Sequence, residues 1–332
     1  MDSLIFAINA VAPIIAMVAI GYFLKKIGFM TADFAKAANK LVFRLFLPAM
    51  LFLNVYKIKD LGGMDFGYVA YVLLAVLVIF AVTLPLTLAV TPRAPQRGAL
   101  LQSVFRSNYA LIGIPLSQSL YGDAGVTIAT LLSAIVVPAF NILAVISLTI
   151  FRPTGGKPSV KKILLGIAKN PLIQGVFLGL AVLGVRALFV QCDVSFRLEQ
   201  IEPLFKVLSY LSNMATPMAL LVLGAQFEFS AVSSLRREIL FGTLMRTVAV
   251  PLFGLGCAYA LMKAGVLDVA GAHFASFVAV FATPVAVSSV PMAQEMESDV
   301  TLAGQLVVWT TLVSALTVFL AAFILRYVGV FA

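Results

Sequence analysis

The chain is dominated by apolar stretches of about 20 residues, each long enough to cross a bilayer as a helix. Hydrophobic residues make up 62% of the 332 residues and charged residues only 11%. Soluble domains are about 45–50% apolar and about 25% charged. Because a backbone in lipid must satisfy its own hydrogen bonds, which a helix does, the sequence predicts an all-α polytopic membrane protein.

We predict ten membrane-spanning helices, over residues 4–24, 37–56, 67–90, 98–121, 124–151, 163–188, 200–224, 236–262, 272–295 and 299–328. The junctions between them are short, and no soluble domain interrupts the series. No positively charged segment precedes the first apolar run, so we expect it to be a helix of the mature protein rather than a cleaved signal peptide.

The fourth predicted helix contains an unusual segment, FRSNYALIGIPLSQSLYGD, over residues 105–123. Pro115 lacks a backbone N–H and clashes with the preceding turn, and Gly113 adds backbone freedom. Arg106 and Asn108 are polar for a membrane segment. A broken helix at membrane depth is tolerated only where protein or a water-filled cavity satisfies the freed backbone groups, so we expect a break and a cavity here.

A related segment, TPVAVSSVPMAQEMESD, occupies residues 283–299 of the ninth predicted helix. Three identical residues recur at a spacing of 176: Pro115 with Pro291, Gln118 with Gln294, and Asp123 with Asp299. Paired interrupted segments in the two halves of a membrane chain indicate the binding site of a transporter. Two ordinary proline-kinked helices are the alternative interpretation.

The two halves are predicted to form inverted repeats. Residues 1–151 form the first five-helix repeat, residues 152–162 a cytoplasmic linker, and residues 163–332 the second repeat. Because five is odd, the second repeat enters the membrane from the opposite side. The loops on one side of the predicted membrane hold 13 basic residues in total, and the loops on the other side hold 7. The positive-inside rule then places both termini outside the plasma (inner) membrane.

Three arginines, Arg44, Arg106 and Arg246, fall within predicted helices, whereas no acidic residue lies clearly at mid-membrane. A charge at this depth costs at least about 2.5–3.5 kcal/mol and is a functional candidate by default. Unpaired cations suit an anionic substrate. The alternative is that these side chains extend to the cytoplasmic interface.

The broken helices add a second attraction for anions, because the half-helix that follows each break begins with free backbone N–H groups. Carbonyl groups at the other half-helix ends could instead hold Na⁺. Polar residues near the breaks could bind substrate or join packed helices. The substrate-binding candidates are Arg44, Arg106, Asn108, Tyr109, Gly113, Pro115, Gln118, Thr283, Pro284, Ser288, Ser289, Pro291 and Gln294.

Other function classes find little support in the sequence. Cys192, Cys257 and His273 have no metal-ligand spacing, and no HExxH or GxSxG motif occurs. We therefore expect neither an enzyme nor a metal or organic cofactor. The net charge of +9 is explained by basic cytoplasmic loops rather than by nucleic-acid binding.

Four segments in order, GYFLKKIGF, NKLVFRLFLPAMLF and the two broken segments, resemble the auxin efflux carrier family in its bacterial branch. The resemblance covers essentially the whole chain. It implies ten helices in two inverted repeats, a fold like that of the bile acid/sodium symporters, and crossing fourth and ninth helices with breaks at Ala110–Pro115 and Val285–Pro291. It further implies a scaffold of helices 1, 2, 6 and 7 and a transport domain of helices 3–5 and 8–10.

By this resemblance the function is secondary transport of a small organic anion, such as malate, malonate or an auxin-like acid, by elevator-type alternating access. A homodimer in the lipid bilayer and H⁺ or Na⁺ coupling are implied as well. Unlike the plant members, the chain has no long loop between its halves and carries Gly113 where they have Asn. Alternatives are a Na⁺-coupled symporter of the bile-acid type and an anion sensor without flux.

Overall fold

The computed structural model describes residues 2–58, 66–152, 160–192 and 195–331. Most of the predicted linker, residues 153–159, lies outside them. The helices are α1 (Asp2–Lys26), α2 (Ala32–Leu41), α3 (Leu47–Tyr56), α4 (Phe66–Val90), α5 (Ala94–Phe105), α6 (Ile114–Ile150), α7 (Val160–Lys169), α8 (Pro171–Gln191), α9 (Glu202–Gln226), α10 (Ala231–Ser234), α11 (Arg236–Leu244), α12 (Val250–Lys263), α13 (Gly271–Phe281), α14 (Ser289–Glu295) and α15 (Val300–Tyr327). In the described ranges the only β-type pairing is an isolated bridge between Ser107 and Val285.

Seven continuous helical segments within these ranges are long and apolar enough to cross a membrane: Ala32–Tyr56, Phe66–Val90, Tyr109–Ile150, Pro171–Val190, Glu202–Gln226, Arg236–Lys263 and Val300–Tyr327. The 42-residue segment is bent, because Tyr121 and Gly122 leave the helical conformation. Gly122 has a φ of 58°, which glycine adopts at little cost. The protein is an all-helical, multi-pass membrane protein.

Polar side chains set the start of three helices. Thr31, Asn170 and Asp299 accept hydrogen bonds from the backbone N–H groups of the first turns of α2, α8 and α15 and so satisfy donors that a helix start leaves free. The Asn170 cap corrects one prediction: the helix expected over 163–188 is two helices, α7 and α8. Pro171 favours the new start, since proline suits the first helical position.

Three of the prolines follow five-residue π-helical segments. Val42–Phe46, Tyr109–Gly113 and Met245–Ala249 are π-helical, and Pro48, Pro115 and Pro251 each occupy the second position of the next α-helix. A proline removes one hydrogen bond and crowds the preceding turn, and the wider π turn relieves that crowding. Arg44 and Arg246 lie within two of these segments.

One group of helices consists of α1, α2, α3, α8 and α9. Helix α1 packs along α9, and α3 packs against both α8 and α9. The α1–α9 approach requires glycine: a Cβ at Gly21 would lie 2.1 Å from the carbonyl oxygen of Leu221, and one at Gly224 would lie 2.0 Å from that of Val18. Small residues allow membrane helices to pack this closely.

The second group is built around the two broken helices. Helix α13 packs along α6, α5 packs against α4, α6 and α15, and α14 packs against α15. The aromatic rings of Phe274, Phe277 and Phe281 on α13 are fully buried in this group. Packing between α1 and α15 links the two groups.

Candidate functional site

The chain crosses itself where its two broken helices are interrupted. The first break lies at Arg106–Asn108, between α5 and the π segment, and the second spans residues 282–288, between α13 and α14. The Asn108 N–H donates to the Pro284 carbonyl at 2.7 Å, and the Ala286 N–H to that of Arg106 at 3.4 Å. The two extended segments thereby satisfy each other's backbone groups, as non-helical backbone at membrane depth requires.

The first break therefore lies earlier than Ala110–Pro115, where it was expected. Gly113 and Pro115 belong to the half-helix that follows the break. The physical reason is that the second break supplies hydrogen bonds to the extended backbone at Arg106–Asn108. Pro115 is the seventh residue of the half-helix that begins at Tyr109, and the π segment before it accommodates the proline. The second break, at residues 282–288, overlaps its predicted position, although Pro291 again lies inside the following helix.

A cavity of about 440 Å³ separates the crossing from the first helix group. Volumes of this size are typical of small-molecule sites. Its lining residues are Leu47, Met50, Leu51, Asn54, Lys57, Arg106, Ser107, Asn108, Tyr109, Ala110, Leu111, Val137, Phe140, Asn141, Ser212, Asn213, Ala215, Thr216, Pro217, Ala219, Ala286, Val287 and Ser288. They come from α3, α6, α9 and both breaks, so the cavity lies at the meeting point of the two helix groups.

Arg106 is the charged group deepest in this cavity, with only 3% of its surface exposed. Its guanidinium donates to Asn141 Oδ1 and Ser288 Oγ, both at 2.8 Å, and to Met292 Sδ at 2.7 Å. All three acceptors are neutral, and no carboxylate of the described residues pairs with it. The side chain is thus held in place without being neutralised.

Asn108 adds a hydrogen-bond donor beside this charge. Its side-chain amide nitrogen is buried and has no partner in the described parts of the chain. Next to it the π segment begins at Tyr109, and the cavity is lined by Tyr109, Ala110 and Leu111, the first residues of that half-helix. Helix N-termini carry unpaired N–H groups and a partial positive charge.

The charged side chains that line the cavity are all basic. Lys57, at the end of α3, is exposed and lies at the outer end of the cavity, while Arg106 lies at the crossing. Among the described lining residues there is no aspartate or glutamate. Amides and hydroxyls supply the other polar groups, so the arrangement can bind a small anion by charge and by hydrogen bonds.

Of the thirteen predicted binding residues, Arg106, Asn108, Tyr109 and Ser288 line the cavity. The Tyr109 hydroxyl is already used, because it donates to the Ala129 carbonyl at 2.9 Å. Gly113 faces α13, where an added Cβ would lie 3.0 Å from the Ala279 Cβ. Asparagine would not fit there without a shift of α13.

The remaining candidates near the breaks lie away from this cavity. Thr283 donates to the Ala279 carbonyl, Pro284 accepts from Asn108, and Ser289 and Pro291 are buried in the protein. Gln118 is exposed on its helix, and Pro115 lines a separate, apolar cavity of about 400 Å³ between α1, α9 and the first broken helix.

Arg44 and Gln294 lie on the opposite side of the crossing, where they join the two helix groups. Arg44 pairs with Glu295 at 3.4 Å. Gln294 accepts a hydrogen bond from Gln226 at 2.9 Å and donates to the Lys36 carbonyl at 3.4 Å. We call these contacts the latch. Arg44, expected to be an unpaired cation, therefore has an acidic partner, because the end of α14 approaches it in the folded chain.

Beside the latch, Arg152 forms an ion pair with Glu297 through hydrogen bonds of 3.1 and 2.5 Å. These hydrogen bonds raise the pKa of the Arg152 guanidinium above its usual value. The pair joins the end of α6 to the turn after α14.

Sequence reasoning missed part of the cavity wall. Ser212, Asn213 and Thr216 on α9, together with Asn54 on α3 and Asn141 on α6, line the cavity but were not among the candidates. A signal was present: Ser212 and Thr216 are four residues apart and Asn213 adjoins them, so these polar residues share one side of an otherwise apolar helix. Within the described ranges no cluster of three or more acidic, histidine or cysteine side chains could hold a metal ion.

Comparison with known proteins identifies the family to which the chain belongs. A family model described as membrane transport protein matches residues 6–322. The chain belongs to this family, that of the auxin efflux carriers. An uncharacterized transporter of Methanothermobacter thermautotrophicus is 24% identical over 324 residues, which cover 92% of this chain and 94% of that protein. The family resemblance seen in the sequence is confirmed, and the chain is a membrane transporter.

Proposed function

We propose that this transporter is a secondary carrier of small organic anions, with substrate bound in the cavity at the crossing. The observation that carries the proposal is Arg106, a buried guanidinium that lines the cavity and has only neutral partners in the described chain. A buried ion without a counter-charge costs several kcal/mol. A bound carboxylate would supply that counter-charge and offset this cost.

The neighbouring groups fit a carboxylate as well. The unpartnered Asn108 amide and the N–H groups at the start of the Tyr109 half-helix can donate to carboxylate oxygens. Arginine binds carboxylates through two parallel hydrogen bonds. At the outer end of the cavity, Lys57 would attract anions from solution. We expect the substrate to be a compact carboxylate such as malate, malonate or an auxin-like acid.

Alternating access would follow from the division into two helix groups. We assign α1, α2, α3, α8 and α9 to a scaffold and the broken helices, with the helices packed on them, to a transport domain. The cavity lies between the groups and extends along α3 to Lys57, whereas the latch joins the same groups on the other side of the crossing. Opening the latch as the transport domain slides along the scaffold would expose the site on the opposite face.

The inverted repeat of ten helices is part of this proposal. A two-fold axis in the membrane plane brings equivalent residues of the two repeats together at the crossing. Asn108 and Pro284, which share a backbone hydrogen bond, are 176 residues apart, the spacing of the three identical pairs. With the positive-inside rule, this proposed arrangement would put both termini outside the plasma membrane and the latch at the cytoplasmic face.

The test is counterflow in proteoliposomes that contain the purified protein and labelled malate, malonate or indole-acetate. Flux of one of these acids that Arg106→Gln strongly reduces at low anion concentration, and that Arg93→Gln leaves unchanged, is the expected result. Arg93 is a suitable control because its side chain is exposed and does not line the cavity. Thermal stabilisation by an anion without any flux would instead favour a sensor, and full flux in folded Arg106→Gln would remove Arg106 from the site.

A further inference from the structure

Arg246 is the most completely buried charge in the described protein, with 0% of its surface exposed. It lies in the π segment between α11 and α12 and does not line the substrate cavity. Its guanidinium donates to four backbone carbonyls: Thr283 at 2.8 Å, Val280 at 2.7 Å, Val104 at 3.1 Å and Phe105 at 3.3 Å. It has no acidic partner in the described ranges.

These four carbonyls lie at, or just after, the ends of the two half-helices that precede the breaks. Val104 and Phe105 are the last residues of α5, Val280 lies in the last turn of α13, and Thr283 lies in the break itself. Helix C-termini leave carbonyl groups without helical donors and carry a partial negative charge. The crossing therefore brings two negative helix ends and four oxygens around one point.

Converging carbonyls of this kind are cation sites in secondary transporters, where unwound backbone and half-helix C-terminal ends coordinate Na⁺. In this protein a guanidinium of the chain itself fills the position. Arginine is suited to it, because the planar group carries five donors and a permanent charge. Its bonds to carbonyl oxygens are charge-assisted and supply the positive charge that the two helix ends favour.

We propose that Arg246 is a resident cation that takes the place of a coupling ion, so that anion transport by this protein is independent of Na⁺. This inference rests on the proposed function and names its ion coupling. A transported Na⁺ is released at one face and rebound at the other, whereas Arg246 is covalently part of the helix group that carries the crossing. Arg246 can therefore stabilise the crossing in every state, and a Na⁺ gradient cannot act through this site.

The two buried arginines thus have different roles. Arg106 bonds to side chains and faces the cavity, where an incoming carboxylate can reach it. Arg246 bonds to backbone carbonyls of both broken helices and is a positioning residue, because it fixes the two breaks relative to each other. Replacing either one is expected to reduce transport, but only the loss of Arg246 creates a cation site.

The experiment compares wild-type protein, Arg246→Ala and Arg246→Lys in Na⁺ and in choline at equal ionic strength, by two readouts. The first is the thermal stability of purified protein, which needs no flux. We expect the same melting temperature in both salts for wild type and Arg246→Lys, and a Na⁺-specific increase for Arg246→Ala, whose carbonyls are free to bind the ion.

The second readout is anion counterflow. Wild-type initial rates are expected to be equal in Na⁺ and choline, while Arg246→Ala loses transport in choline and regains about tenfold in Na⁺, within the usual range of coupling between two sites. Na⁺-dependent wild-type flux, or Na⁺-specific stabilisation of the wild type, would overturn the proposal. So would a folded Arg246→Ala that is indifferent to Na⁺ in both assays.

The outcomes separate this inference from the proposed function. Absence of flux for every acid tested counts against the anion-carrier proposal, while the melting temperatures still decide whether Arg246 occupies a cation site. If Arg246→Ala does not fold, the wild-type and Arg246→Lys measurements decide the question, since a Na⁺ effect on either protein contradicts a resident cation.

Discussion

Replacing Arg106 by leucine should lower the affinity for the anion without lowering the free energy of unfolding. The guanidinium is held by Asn141 Oδ1, Ser288 Oγ and Met292 Sδ, all neutral. A hydrogen bond to a charged group contributes about 1.5–3 kcal/mol, so losing this group should weaken anion binding about 10- to 150-fold. Because leucine also removes a buried ion without a counter-charge, the free energy of unfolding should change little or increase.

The two effects are measured on the same preparation. Counterflow as a function of anion concentration gives the apparent KM, and thermal unfolding of purified protein gives the stability with and without anion. We expect wild type to be stabilised by the substrate anion and Arg106→Leu not to be. Arg106→Lys keeps the charge but not the planar pair of donors, so its KM should fall between the two.

Either of two results would contradict a carboxylate site at Arg106. An unchanged KM in folded Arg106→Leu would mean that the anion does not bind this guanidinium. A large loss of stability without anion would mean that the arginine serves the fold through its bonds to Asn141 and Ser288.

Three further changes test other parts of the structure. Asn213→Asp places a carboxylate on the cavity wall and should raise the KM for anions about fivefold at low salt. The increase should be smaller at high salt, because salt screens the Coulomb repulsion. An equal increase of the KM in Asn213→Ala would argue against a charge effect. Glu295→Gln removes the ion pair with Arg44, which is 61% exposed, so the pair contributes up to about 1 kcal/mol. Labelling of a cysteine introduced at Ala35, in a background without native cysteines, should therefore increase by no more than about fivefold. No increase would mean that the latch does not hold this side closed. Gly224→Val forces α1 and α9 apart and should destabilise the protein by about 1–3 kcal/mol, whereas the control Gly184→Val, where no atom lies within 4 Å of an added Cβ, should unfold at the wild-type temperature.

Much of the helical arrangement could be read from hydropathy, because the bilayer requires long apolar helices whatever their neighbours are. The segments around Pro115 and Pro291 also identified the two broken helices. The position of the first break could not be read, since it depends on a partner: Arg106–Asn108 is extended because Pro284 and Ala286 supply its backbone hydrogen bonds. The split between α7 and α8 was missed, although Lys169, Asn170 and Pro171 form a polar cap and a helix start within the apolar run.

The sequence by itself predicted a membrane transporter with two interrupted helices and three arginines within its apolar segments. Only the tertiary structure assigned those arginines, by what the fold brings to each: Glu295 to Arg44, a cavity with neutral acceptors to Arg106, and four backbone carbonyls to Arg246. The physical reason is the distance along the sequence over which each property is determined. Hydropathy and helix breaks are local properties of the chain, whereas the state of a buried charge depends on groups that are 34 to 186 residues away in sequence.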